Sequence, residues 1–174
     1  SSVWQGRKDS LPNERYFQCT QLVDLTQQSL PKNKQATAIL GFCSDEGIRR
    51  NEGRVGAATG PIHLRQQLGK LACPPQPFLD VGNIICSDEK LETAQEQLAC
   101  VIDYCHAQGY KTLVLGGGHE IAWGHFSGLT PHYPRIGIIN FDAHFDLRPI
   151  IPPQQGTSGT PFWQIAEYCK ATQK

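Results

Sequence analysis

The run Ala36-Thr37-Ala38-Ile39-Leu40-Gly41-Phe42 is apolar at almost every position rather than at every second one, and this constrains the fold more than any other feature of the chain. A strand wetted on one face alternates polar with apolar residues, whereas a strand that is apolar throughout is covered on both faces, as in a parallel sheet between helices. Tyr110 to Leu115 and Arg135 to Phe141 share this character, the latter through Ile136-Gly137-Ile138-Ile139, and Phe78 to Val81 reads as a further short strand. Helical stretches lie between them. Gly60-Pro61 opens one helix with Pro in the first turn, where no amide donor is lost. Ser87-Asp88 caps a second, which runs to His106 with Leu91, Ala94, Leu98, Val101, Ile102 and Cys105 recurring at three and four residues and which Gly109 ends. A shorter helix follows from about His119 to Leu129. Strands alternating with helices predict an α/β fold of three layers, α/β/α, around a mostly parallel sheet with right-handed crossovers.

Residues 1–35 lack this texture and read as an N-terminal arm with one helix around Glu14 to Leu25, burying Phe17, Leu22 and Leu25; residues 36–174 read as the α/β domain. With 174 residues, 39% of them hydrophobic, and 16 basic residues against 16 acidic ones, the chain fits one ordinary globular unit. Charge forms no clusters of the kind that bind nucleic acid or anionic membranes, so neither is an expected partner. The apolar runs fall far short of the roughly 20 residues that cross a bilayer, and Ser1 to Gly6 contains no signal-peptide core. Seven cysteines, an odd number without a C-x-x-C pair, suggest neither a disulfide framework nor a zinc knuckle, and a cytoplasmic location is expected. Lacking any Met, and stopping at Thr172-Gln173-Lys174 just past an apparent helix, the chain is expected to be a piece of a longer protein.

In an open parallel sheet, ligands bind at the carboxyl ends of the strands. Two of those ends are unusual: Gly116-Gly117-Gly118-His119-Glu120 follows one strand and Asp142-Ala143-His144-Phe145-Asp146 another. If the chain stays extended past the second strand, Asp142, His144 and Asp146 point to one side. The glycines let the backbone turn sharply, so that His119 can reach the same point. Carboxylates with imidazoles and no thiolate suit Mn²⁺, Fe²⁺, Co²⁺ or a catalytic Zn²⁺ rather than a structural zinc. The competing explanation is plainer: the aspartates cap a helix, His144 is a core residue and the glycines make a tight turn. A nucleotide loop is disfavoured because Ile121 stands where the last Gly of G-x-G-x-x-G belongs and no Lys-Ser/Thr follows. Glu120 either accepts a hydrogen bond from the His119 ring or caps the next helix. His63, His106, His125 and His132 show no partner pattern, and Trp4, Trp123 and Trp163 read as packing.

Gly116 to Glu120, together with Asn140-Phe141-Asp142-Ala143-His144-Phe145-Asp146-Leu147-Arg148-Pro149, resembles the first two metal motifs of the ureohydrolases, the arginase and agmatinase group. Gly41 to Ala57 and Thr157-Ser158-Gly159-Thr160-Pro161-Phe162 resemble the formimidoylglutamase branch of that group. The resemblance runs from about residue 36 to the end. It implies an arginase-like three-layer sandwich with a binuclear Mn²⁺ centre, in which His119 and Asp146 bind one ion, His144 the other, and Asp142 bridges them. It further implies hydrolysis of N-formimidoyl-L-glutamate to L-glutamate and formamide by a metal-bridged hydroxide, with Asp146 as proton shuttle. A hydrolase of another guanidine or amidine, of the arginine or agmatine type, is the alternative, and a non-catalytic chain with half a metal site is a third reading. The group's later Asp-x-Asp motif is absent from these 174 residues, so the ligands present are expected to hold at most one ion well. A substrate with two carboxylates calls for donors at the pocket mouth. Arg49, Arg50, Arg54 and Arg148 are the candidates, with Thr157, Ser158 and Thr160 nearby; the same arginines can instead form surface ion pairs with Asp45, Glu46 or Glu52. A small-molecule substrate and a possible homo-oligomer complete the expectation.

Overall fold

The computed structural model describes residues 3–32 and 35–173. Ser1, Ser2, Asn33 and Lys34 of the expected arm, and Lys174 at the end, lie outside the described residues. Four parallel strands form one sheet: β1 (Thr20–Leu22), β2 (Thr37–Cys43), β3 (Phe78–Ile85) and β4 (Lys111–Leu115), in the order β1-β3-β2-β4. The helices are α1 (Tyr16–Cys19), α2 (Glu46–Arg50), α3 (Gly60–Leu68), α4 (Leu91–Ala107), α5 (Ile121–Leu129) and α6 (Pro161–Thr172), with a single 3₁₀ turn at Ala57–Thr59. None of these helices is long and apolar enough to cross a membrane.

β2 is central because it is apolar on both faces. Ala38, Leu40 and Phe42 join Leu79, Val81 and the α4 residues Leu91, Ala94, Leu98, Ile102 and Cys105 in one core layer. Ile39, pointing the other way, packs with Leu115, Trp4, Phe17 and Leu68 in a second, smaller layer. The α/β/α arrangement follows from this alternation, since each face of the sheet has its own helices to bury. α4 stops where expected: Gly109 has φ 90°, its amide bonds the His106 carbonyl, and the Tyr110 amide bonds that of Cys105. Its start differs from the expectation, because Asp88 and Glu89 take left-handed backbone and the helix begins at Leu91 with no side-chain cap.

The arm contributes more than a helix. Only Tyr16–Cys19 is helical; Thr20 to Leu22 then pair with Phe78 to Asp80 as the edge strand β1, so the expected helix over 14–25 is short and continues as strand. Trp4 donates its indole N–H to Asp80 Oδ2 at 2.6 Å, and Asp80 in turn holds the buried Arg65 guanidinium. Glu14 to Arg15 meet Ala72 to Cys73 through an antiparallel bridge, and Cys19 is joined to Cys73 by a disulfide, contrary to the expectation of none. A pairing across 54 residues leaves no local spacing to read.

The segment from Arg135 to Phe141 is also corrected. It forms no strand: it runs without regular structure, with Ile139 83% and Phe141 97% exposed. Apolar sequence favours burial, but a strand exists only through a ladder partner, and β4 pairs with β2 alone among the described residues.

Candidate metal centre

Gly41 of β2 lies opposite Leu115 of β4, so the carboxyl ends of the two strands are side by side. Past Leu115 the triple glycine keeps the chain against the end of β2: the Gly117 amide donates to the Phe42 carbonyl at 2.8 Å and the Gly118 amide to the Ser44 carbonyl at 3.1 Å. A Cβ at Gly117 would stand 2.5 Å from the Ser44 oxygen and 2.6 Å from that of Phe42, a separation no side chain tolerates. Glycine is required here by close approach, and the result is that His119 emerges above the strand ends.

The second motif reaches the same point by a bend rather than by extended alternation. Asp142 Oδ1 accepts the His144 amide at 2.9 Å, an Asx turn that breaks the expected period of two. Asp146 takes left-handed backbone, φ 48°, which Asp tolerates better than most residues. Its carbonyl accepts the Phe162 amide from the first turn of α6, and the Phe162 ring meets the His119 ring edge to face. In this arrangement His119 Nδ1 lies 2.6 Å from Asp146 Oδ2 and 3.4 Å from Asp142 Oδ2. One ligand atom from each of the three residues falls within 4.8 Å of the others. His144 does not join them: its side chain is 79% exposed, with Nδ1 3.3 Å from Asp142 Oδ1.

The donor set fits a divalent cation. Two carboxylates and one imidazole converge on a half-buried spot, and the described contacts bring no Lys or Arg to either carboxylate to balance the charge. The His144 backbone N–H, and secondarily the neighbouring imidazoles, hold the Asp142 carboxyl below its usual range against a modest opposing effect of burial, which keeps it an ionised donor. One imidazole with two carboxylate oxygens is a borderline-hard set suited to Mn²⁺, Fe²⁺ or Zn²⁺.

Beside the cluster opens a cavity of about 730 Å³, whose walls include His119, Asp142, Asp146, Arg148, Asn51 and Ser158. Arg148 is steered by Asn51, whose Oδ1 accepts from Nη1 at 2.8 Å, and its backbone amide is fixed to the Gly159 carbonyl. Thr157 and Thr160 border an adjoining hollow and bond chiefly to each other, the buried Thr160 hydroxyl accepting the Thr157 amide at 3.0 Å. Arg49 and Arg50 do not line the cavity. Both grip the buried carboxylate of Glu46, and Arg50 also binds Glu92 and the Gly156 carbonyl. Arg54 is exposed on the loop after α2.

Glu120 is wholly buried and does neither of the two things expected of it. Its carboxylate does not cap α5, the helix that follows, and bonds Ser44 and the first-turn amide of Gly47 in α2 instead of the His119 ring. Burial pushes its carboxyl up, only partly offset by these bonds. Sequence reasoning missed Asn51 altogether. It closes α2, a five-residue helix inside what reads as a Gly- and charge-rich loop, and nothing in Arg49-Arg50-Asn51-Glu52 marks it from its neighbours.

Residues 35–174 match the Arginase family. The formimidoylglutamase of Legionella pneumophila (strain Lens) is 49% identical over 170 residues, covering 97% of this chain and 53% of that protein. The formimidoylglutamase of Chromobacterium violaceum is 48% identical over 171 residues, covering 96% and 53%. Among solved structures, Trypanosoma cruzi formiminoglutamase with Mn²⁺₂ superposes with a TM-score of 0.69 at 34% identity, over 75% of this chain and 47% of that one. Bacillus subtilis formimidoylglutamase shares the fold, with a TM-score of 0.72 at 20% identity over 87% and 47%. The chain thus spans about half the length of the curated relatives it matches.

Proposed function

The chain belongs to the arginase family, and from that premise we propose that the protein hydrolyses the amidine C–N bond of N-formimidoyl-L-glutamate, yielding L-glutamate and formamide, with manganese as its cofactor. The observation that carries the reading is the convergence of His119, Asp142 and Asp146 at the strand ends, on the wall of a cavity that also presents Arg148. Relatives named formimidoylglutamase, identical to this chain at nearly one residue in two, supply the choice of substrate.

His119, Asp142 and Asp146 would hold the manganese, with His144 close by and exposed to take part in a second position. Once bound, manganese supplies Lewis acidity that brings the pKa of a water towards neutrality. The remaining chemistry belongs to the chain. Water adds through oxygen to the electron-poor amidine carbon, and Asp146, on the cavity wall, takes the proton that this releases. The Asp146 carboxyl then returns that proton to the glutamate nitrogen as its bond to carbon breaks, while the second water proton passes to the imino nitrogen, so that formamide and a neutral amine leave together. Arg148, held in place by Asn51, offers its planar fork to a substrate carboxylate, and Ser158 adds a hydroxyl beside it. Three converging donors suffice for one ion, and a pair of ions calls for carboxylates beyond these residues.

The test is a product assay on the protein at its full encoded length, loaded with manganese. Formamide and glutamate in equal amounts from formimidoyl-glutamate, with no urea from arginine or agmatine, is the expected result. Urea release with no formamide would move the protein to another member of the family.

A further inference from the structure

The buried carboxylate of Glu120 sits in a slot made for it. Oε1 accepts the Ser44 hydroxyl at 3.0 Å and the Gly47 backbone N–H at 3.0 Å. Oε2 is buried without a hydrogen-bond partner among the described residues, pressed between two glycines. A Cβ at Gly47 would lie 2.4 Å from Glu120 Cδ, and one at Gly118 would lie 2.0 Å from Oε2, so a side chain at either position would force the carboxylate out of its slot. The backbone of Glu120 is tied as well, its carbonyl accepting Gln95 Nε2 at 2.7 Å from α4.

What Glu120 grips is the residue that ties Ser158 and Asn51, both of which line the cavity. The Gly47 carbonyl accepts the Ser158 amide at 2.9 Å and the Asn51 amide at 3.1 Å. Asn51 in turn steers Arg148, and Asn51, Arg148 and Ser158 line the same cavity as His119. His119 is the neighbour of Glu120 in the chain. A continuous path therefore joins one lining residue to the others: His119, the backbone of Glu120, its carboxylate, Gly47, and from Gly47 to both Ser158 and Asn51.

We propose that Glu120 is a positioning residue that sets the spacing between His119 and the Asn51–Ser158 wall by clamping Gly47 of α2. A five-residue helix has too few bonds of its own to hold a fixed pose. Removing the clamp releases Gly47, and Ser158 and Asn51 move with it, whereas His119 keeps its own bonds to Asp146 and its place beside β2. Its consequence for turnover rests on the function proposed above; its consequence for the backbone does not.

Hydrogen exchange and manganese binding, followed in the protein at its full encoded length, separate the two. In Glu120→Ala, the Gly47 and Ser158 amides exchange at least about tenfold faster, while amides of β2 and α4 keep their protection. Glu120→Gln restores protection, because its amide oxygen can accept from Ser44 and Gly47. Gly47→Ala, which displaces the Glu120 carboxylate from the other side, reproduces the loosening at Ser158. Manganese affinity, titrated by electron paramagnetic resonance, changes less than about threefold in Glu120→Ala, while KM for formimidoyl-glutamate rises about tenfold. The proposal is overturned if Ser158 exchange is unchanged in both Glu120→Ala and Gly47→Ala, or if Glu120→Gln behaves as Glu120→Ala does. Equal losses in manganese affinity and KM would also overturn it, by showing that Glu120 acts on His119 alone. Absence of formamide release by the unaltered protein, with the exchange results as expected, would refute the proposed reaction and leave the clamp standing.

Discussion

The proposed reaction gives Asp146 two duties that a single substitution separates. As a ligand it would share one position with His119 and Asp142, and as a proton carrier it would work alone. Asp146→Asn keeps an oxygen donor in place but cannot accept the proton, so kcat falls about 10²–10³-fold with most of the manganese retained. Loss of metal with unchanged turnover per bound ion would contradict this assignment. Arg148 differs, because in the proposed reaction it meets the substrate away from the reacting carbon. Arg148→Ala raises KM by about tenfold or more and leaves kcat within a few-fold, the pattern of lost ground-state binding. Steady-state kinetics at saturating manganese distinguishes the two variants. Of these residues, His119, Asp142 and Asp146 were legible because each belongs to a short motif of clustered His and Asp, even though the strand expected before the second motif does not form. The arginines were not separable by sequence: four stand near the motifs, and only the tertiary partners show that Arg49 and Arg50 serve Glu46 and that Arg148 faces the cavity.

At the scale of elements, those read correctly were the ones whose burial is settled within their own residues. β2 and α4 announce their layers by period, and Gly109 announces a helix end by the backbone it must adopt. β1 and α2 were invisible because three and five residues carry too little pattern, and their stability comes from partners far away in the chain. Arg135 to Phe141 shows the reverse error, an apolar run with no ladder to join among the described residues. The packing of α5 against β4 has a measurable pH signature. His125 on α5 hydrogen-bonds Thr112 of β4 through Nε2 at 3.1 Å, and burial, aided by His106, lowers its pKa to about 4. The unfolded chain takes up this proton near the ordinary histidine value of about 6.5, so between there and about 4 it binds more protons than the native state. Stability is therefore fully present above pH 6.5 and declines as pH falls to about 4, by roughly 2–3 kcal/mol from this group. Urea unfolding at a series of pH values shows that decline in the native sequence and a shallower one in His125→Gln; equal slopes would show that the imidazole is not the source.

At the scale of the whole molecule, β4 has one strand neighbour among the described residues, and Ile139, Phe141 and Phe145 stand mostly exposed in and before the loop that carries Asp142 and Asp146. Large apolar side chains left wet together form a surface that proteins tend to cover. The chain also spans about half of the relatives it matches, and three ligands rather than a full binuclear set converge in it. Fold class was legible at this scale because it depends on alternation of elements, and so was the limit to one well-held ion, because the Asp-x-Asp motif is absent from these residues; that His144 stays outside the cluster was not, because it depends on the turn at Asp142. The most direct test of manganese-dependent amidine hydrolysis is formamide release from formimidoyl-glutamate by the full-length protein, stripped with chelator and titrated with Mn²⁺. No release is expected from the stripped protein, with a return that rises in step with bound manganese until the site saturates. Release that survives stripping, or manganese that binds fully without any release, would contradict the proposed reaction.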